Sequence, residues 1–361
     1  MLLRKAIEEI PGLRYVTDQI DLLTAAGRRA FYALPFLQDA ESISQQLNLL
    51  EPYVNLVKKN EPLFQFLTLK LAQVKDIKGT LANLEANNVL DDIELFEIKS
   101  FAILADEIFN RSSQSIDEIR DYPLLTSIIE ILDPEGNKVP SFYIFDLYSE
   151  DLAAKRKEIR LLRQAGNEMG ALEAELIANN LEDEIRTNLS QRLREEYSKI
   201  RDAVALITAI DLRLSIATLC HKLDLVKPQP QHEEIEIKGL FNPLVKDALA
   251  IKGKTYQPID VNLKHGVCLI TGANMAGKTV LLKSLALTQA LFQFGFFVPA
   301  TLAKLTPVQK ILLSIGDEQS ELSGLSSFAA EMVTIDRILK CLGKNKRHLV
   351  LIDEPARTTN P

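Results

Sequence analysis

Lys278 and Thr279 close a run, Gly272-Ala-Asn-Met-Ala-Gly277-Lys278-Thr279, with the spacing of a phosphate cradle: Gly, four residues, Gly-Lys-Thr. Glycines at 272 and 277 let the backbone curl until its N–H groups converge on phosphate oxygens. The lysine adds a point charge for the β- and γ-phosphates, and the threonine hydroxyl is a ligand for Mg²⁺. A helix starting here adds the positive end of its dipole. Gly272, Ala273, Asn274, Met275, Ala276, Gly277, Lys278, Thr279 and Val280 are therefore the candidate nucleotide-binding set, for ATP with Mg²⁺.

A second pair of chemistry-bearing residues lies downstream. The apolar run His348–Ile352 ends in Asp353-Glu354. An aspartate at the end of a buried strand can hold the metal with Thr279, and the adjoining glutamate can orient and deprotonate an attacking water. Between the two motifs, Ser323, Gly324, Ser326 and Ser327 precede a helix expected from about Phe328. Such a Ser-Gly loop at a helix N-terminus suits an anion, although alone it is an ordinary serine cap. In ATPases of the ABC type a loop of this kind caps the γ-phosphate held by the other subunit.

These residues need particular elements to position them. The run Val267, Leu269, Ile270 suits a buried parallel strand feeding the loop, and Leu281, Leu282, Leu285 and Leu287 suit a helix leaving it. From about residue 233 short apolar runs alternate with glycines and prolines, the texture of an α/β domain. Lys227-Pro-Gln-Pro-Gln-His232 reads as the linker before it. Residues 1–130 carry leucines and isoleucines at helical spacing, with two amphipathic helices joined at Pro35. Asp133-Pro134-Glu135-Gly136 marks a turn, and a small hairpin-like excursion is expected over 131–148. Two long helices come next, bending at Asn179-Asn180, the second with a near-heptad seam through Ile185, Leu189, Leu193, Tyr197, Ile200, Val204, Ile207 and Leu214.

Composition narrows the class. The chain has 361 residues, 47% hydrophobic and 25% charged, enough for two or three cored domains. Its three cysteines, Cys220, Cys268 and Cys341, have neither disulfide nor zinc spacing. A formal net charge of −7 gives no general attraction to nucleic acid. No secretory apolar core and no apolar run of membrane-spanning length is expected, so the expected compartment is a reducing cytoplasm without membrane contact.

The motifs together resemble the MutS family. Thr271-Gly-Ala-Asn-Met-Ala-Gly-Lys-Thr279 is similar to its P-loop, and Phe297-Val-Pro-Ala300 to the strand after it. Thr24 to Glu51 resembles the start of the family's core domain. The segments Gly316-Asp-Glu-Gln-Ser320, Leu325-Ser-Ser-Phe328 and Asp353-Glu-Pro-Ala-Arg-Thr-Thr-Asn-Pro361 look most like the second branch, linked to suppressing recombination. The resemblance implies that Tyr256, in Tyr256-Gln-Pro-Ile-Asp260, stacks on adenine and that Ser326 reaches across a dimer. It also implies a fold of α plus α/β: a helical core and lever over 1–232, then an ABC-type P-loop ATPase domain over 233–361.

Departures from the pattern matter as much. Because core-like helices begin almost at once, no mismatch-reading domain is expected before them, and the segment between the long helices is short for the family's DNA-gripping clamp. Pro355, Arg357, Thr358 and Thr359 stand where the family has a glycine-containing stretch. The chain stops at Pro361 before the family's later strands, so a C-terminally truncated ATPase domain is expected. The implied activity is a dimeric ATP-hydrolysing switch. Glu354, Lys278 and Ser326 would be catalytic, Thr279 and Asp353 would hold Mg²⁺, and a homodimer would form through the ATPase domain. Its target would be DNA structures, in mismatch repair or in recombination. The alternative is a protein-remodelling ATPase without DNA binding, resembling reactivation factors of cobalamin-dependent aminomutases. A helical scaffold with regulatory nucleotide binding is a third option.

Overall fold

The computed structural model describes residues 1–138, 141–273, 277–315, 327–342 and 347–354, with only the backbone of 327–330. The chain begins with helices α1 (Leu3–Glu9), α2 (Leu13–Thr17), α3 (Ala25–Tyr32) and α4 (Ala40–Lys59). It continues through α5 (Glu61–Leu71), α6 (Lys78–Glu85), α7 (Asp92–Ser112) and α8 (Thr126–Leu132). Three long helices come next: α9 (Glu150–Gln164), α10 (Glu168–Glu195) and α11 (Tyr197–Lys222). Then come β1 (Gln229–Pro230), β2 (Ile235–Leu240), α12 (Pro243–Ile251), β3 (Ile259–Leu263) and α13 (Lys278–Gln293). The last described elements are β4 (Leu302–Leu305), β5 (Lys310–Ser314), α14 (Ser327–Cys341) and β6 (His348–Ile352).

The chain divides into two compact units. A helical unit comprises Leu23–Gly27 and Pro62–Asp211. A mixed unit comprises Met1–Leu22, Arg28–Glu61 and Leu212–Pro361. The linker at 227–232 therefore lies inside the mixed unit, because the early helices fold together with the chain beyond Leu212. Leu37 N–H, for example, donates to Gln293 O at 2.8 Å.

In the helical unit α7 starts on a capping box, Asp91 with Glu94, and buries Leu95, Ile98, Phe101, Ala105 and Phe109. Arg186 of α10 grips Asp92, in the first turn of α7, through Nε at 2.8 Å and Nη2 at 3.2 Å. The seam residues Leu189, Leu193 and Ile200 are buried, as plain helix packing requires. The bend between the long helices falls at Ala165–Asn167, and α10 runs unbroken through Asn179-Asn180. Local chemistry decides this. Gly166 takes the left-handed conformation (φ +74°), Gly166 N–H donates to Arg163 O, and Asn167 N–H donates to Leu162 O. That is a complete Schellman stop, and Asn167 then caps α10 by accepting from Gly170 N–H. A pair of asparagines in mid-helix offers no comparable alternative.

The expected hairpin over 131–148 has no strand among the described residues. Its turn closes instead on a buried ion pair, Lys99 Nζ to Asp133 Oδ1 at 2.8 Å, with Lys138 N–H donating to Asp133 Oδ2 at 2.8 Å.

By length and hydropathy α11 passes as a membrane span, contrary to the expectation that none would. It reads as a core helix because its Asp211 is fully buried and its carboxylate accepts from Leu23 N–H, Thr24 N–H and Thr24 Oγ1–H. A side chain at Gly27 would collide with that carboxylate. The Thr24–Gly27 pattern thus has a packing cause.

In the mixed unit four strands order as β1-β4-β2-β3, with β1·β4 parallel and β2 antiparallel to both β3 and β4. A separate parallel pair joins β5 to β6 in the register Lys310↔His348 to Ser314↔Ile352. Phe297–Ala300 precedes strand β4, and Val298 bridges to Val226.

Candidate nucleotide-binding site

The helix expected after the glycine loop is α13, and it starts at Lys278. Gly277 is its N-cap with φ +86° and ψ +14°, a left-handed backbone for which glycine has no steric cost. The loop's second glycine is thus needed for the turn that aims the helix N-terminus. The strand expected before the loop does not form. No strand lies beside residues 266–270 among the described ones, so their backbone groups have no ladder and their side chains no covering layer. Val267 and Leu269 are accordingly exposed, at 102% and 84%.

Lys278 folds back over the loop, and its Nζ donates to Gly272 O at 2.9 Å and Ala273 O at 3.0 Å. A lysine resting on loop carbonyls is held where phosphate oxygens would replace them as acceptors. Next along the helix, Thr279 Oγ1–H donates to Asp353 Oδ2 at 2.5 Å. Two residues far apart in sequence therefore meet at the end of β6. Asp353 is placed by its backbone, since its N–H donates to Ser314 O at 2.9 Å and extends the β5–β6 pairing by one step. Glu354 comes next with φ +42°, a conformation costly for a residue with a Cβ. That strained turn carries it off the strand line, and its side chain is exposed.

A hydroxyl and a carboxylate are hard oxygen donors, and Mg²⁺ takes only one or two protein ligands beside phosphate and water. Thr279 and Asp353 fit that set. No cluster of three or more His, Cys, Asp or Glu that could hold a metal exists among the described residues, so nothing there suggests a dedicated protein cage.

Tyr256 lies between α12 and β3, and its phenol oxygen accepts from Asn242 N–H at 3.2 Å. Asn242 in turn caps α12. This contact fixes the phenol end at α12 and leaves the ring's role in base stacking as a proposal. Val280 is in the first turn of α13. Asn274, Met275, Ala276 and Ser326 lie outside the described residues.

The other end of α13 carries no sequence motif. Gln289 and Gln293, both buried, form an amide chain there. The available signal is two glutamines four positions apart near the end of α13, among Leu285, Leu287, Ala290, Leu291 and Phe292.

Residues 268–361 match the family model described as MutS domain V. The chain is 28% identical over 294 residues to the DNA mismatch repair protein MutS of Rickettsia prowazekii, covering 76% of this chain and 33% of that protein. It is 26% identical over 346 residues to the MutS of Clostridioides difficile, covering 91% and 35%. It is 30% identical over 232 residues to the MutS of Thermus thermophilus, covering 64% and 27%. The chain is thus similar to MutS proteins, and to their domain V over its last quarter. The domain V match contains Lys278, Thr279, Asp353 and Glu354, so the Thr279–Asp353 contact falls in the matched region. The chain spans about a third of the length of the MutS relatives it matches.

Proposed function

We propose that this chain is the nucleotide-switch part of a MutS-family ATPase that binds and hydrolyses Mg²⁺·ATP and acts on DNA structures. The observation that carries the reading is the 2.5 Å contact between Thr279 and Asp353 beside a lysine held on the phosphate loop. In this reading Lys278 and the backbone N–H groups from Gly272 through Val280 bind the phosphates. Mg²⁺, when bound, would neutralise phosphate charge. Thr279 and Asp353 hold it, and Glu354 orients a water and takes its proton. Tyr256 supports the base, and Ser326 is delivered by a second copy.

We further assign the finer features by resemblance: an ABC-type P-loop fold, a homodimer through the ATPase domain, a cytoplasmic location and the recombination-linked branch. The division at 232 into core-lever and ATPase parts belongs to the same proposal. Hydrolysis would shift the long helices, so that nucleotide state becomes a change of shape.

The test has two arms. Equilibrium binding of a fluorescent ATP analogue with and without Mg²⁺ tests the site, with a clear gain expected from the metal. Binding of duplex and branched DNA across a salt series tests the target. A steep loss with salt is the signature of phosphate contacts. No binding at low salt removes DNA as the target and leaves the protein-remodelling alternative.

A further inference from the structure

Helix α13 touches the proposed nucleotide only at its first turn, yet its last turn is held by an unusual buried polar lock. Gln293 is 0% exposed and Gln289 is 1% exposed. Gln293 Nε2 donates to Leu37 O at 2.7 Å and Val308 O at 2.6 Å, and its Oε1 accepts from Val308 N–H at 3.2 Å. Gln289 Nε2 donates to Gln293 Oε1 at 2.8 Å and Thr306 O at 3.0 Å. Gln289 Oε1, although buried, has no hydrogen-bond partner. Four positions apart on one helix face, the two amides bond one segment on both sides: Thr306–Val308, just before β5.

That segment leads back to the site. Gln309 N–H donates to Arg347 O at 2.7 Å, bringing the chains together just before β5 and β6. The pair runs in register to Ser314↔Ile352, Ser314 O accepts from Asp353 N–H, and Asp353 accepts from Thr279. Thr279 and Gln293 are fourteen helical steps apart, about 21 Å at 1.5 Å per residue. The circuit is therefore closed: helix, amide lock, strand pair, aspartate, threonine, helix. A slide of α13 by one residue along β5–β6 would move Thr279 by about 1.5 Å from Asp353. An apolar contact is non-directional and tolerates such a slide, whereas hydrogen bonds from one amide to both groups of Val308 do not.

We infer that Gln293 and Gln289 are positioning residues for the metal pair: they fix the register of α13 against β5–β6 and so set the Thr279–Asp353 geometry. Phosphate binding by the loop and Lys278 does not depend on this register, because all its groups belong to one continuous stretch. The inference deepens the nucleotide-binding reading above and rests on it.

The test is the affinity of the full chain for a non-hydrolysable ATP analogue, in chelator and in saturating Mg²⁺. The ratio of the two affinities is the metal gain. Gln293→Met should reduce that gain at least tenfold while changing the chelator affinity less than threefold. Gln289→Met, the milder change because its oxygen has no partner, should reduce the gain about threefold, and it decides the matter if Gln293→Met does not fold. Leu291→Ala, a buried apolar truncation on the same turn, should lower the melting temperature but leave the gain unchanged. An undiminished gain in the folded glutamine variants overturns the inference alone. An equal loss in Leu291→Ala also overturns it, since any loosening of α13 would then suffice. No analogue binding by the unaltered chain overturns the nucleotide reading, and this inference with it.

Discussion

Replacing Lys99 by methionine removes one charge from the buried pair of the helical unit while nearly preserving side-chain length. Lys99 and Asp133 side chains are each 1% exposed, and Lys99 Nζ also donates to Ser141 O at 3.3 Å and lies 5.2 Å from the Phe145 ring centroid. Removing one partner of such a pair strands a buried charge, which costs about 3–5 kcal/mol. The exposed pair Arg120–Asp117, by contrast, is worth less than about 1 kcal/mol. For a unit of roughly 150 residues each kcal/mol lowers the melting temperature by about 2–4 °C, so a fall of about 6–20 °C is expected. Adding Asp133→Asn should recover more than half of it, because no charge then remains buried.

The pH dependence has a definite sign. Burial pushes the Asp133 carboxyl up, but the Lys99 ammonium and Lys138 N–H outweigh it and hold it below its ordinary value. A folded-state value below the unfolded one, near 3.9, stabilises above about pH 4 and is lost as the pH falls through the folded value. The gap between Lys99→Met and the parent should therefore narrow as Asp133 becomes protonated in acid. Differential scanning calorimetry from pH 7 to pH 3 measures both effects. A loss under about 1 kcal/mol at pH 7, or a gap constant across that range, would show that no buried charge is stranded.

The site itself sets three further outcomes. Gly277→Ala forces a Cβ into a left-handed backbone at about 1–2 kcal/mol; a loop that relaxes out of that conformation must regain it to bind phosphate, so analogue affinity should fall roughly tenfold by equilibrium titration. Gly253→Ala, also at positive φ but away from the loop, should leave that affinity unchanged. Thr279→Val should lose most of the Mg²⁺ gain while Thr279→Ser keeps it, as read from the same titration with and without chelator. Glu354→Gln should bind ATP like the parent but release phosphate about 10²–10⁴-fold more slowly, because the amide cannot accept the water's proton.

Much of this site is legible in the sequence, for identifiable reasons. The glycine-lysine-threonine run and the Asp-Glu after an apolar strand are local signals, and the structure places Thr279 against Asp353. The run through Val267 misleads because apolar residues report only a tendency to be buried. A strand also needs neighbours, and none lies beside it among the described residues. The bend at Gly166 is hard to read because its stop depends on hydrogen bonds from two successive N–H groups. The asparagine pair is the louder but weaker signal. Non-local polar locks are the least legible. Nothing near Asp211 in sequence announces that Thr24 and Gly27 shape its cradle. Nothing near Gln293 points to Leu37.

If the loop ending in Lys278 holds the phosphates of a nucleotide, its lysine must contribute to nucleotide affinity. Isothermal titration of Mg²⁺·ATP analogue into the parent and into Lys278→Ala tests it most directly, with circular dichroism to confirm that both are folded. Lys278 makes two hydrogen bonds from a charged group, each worth about 1.5–3 kcal/mol when the acceptor is a phosphate oxygen. The parent should bind saturably, and the variant should lose about a hundredfold or more in affinity. Binding of equal strength by both proteins would contradict phosphate binding by the loop.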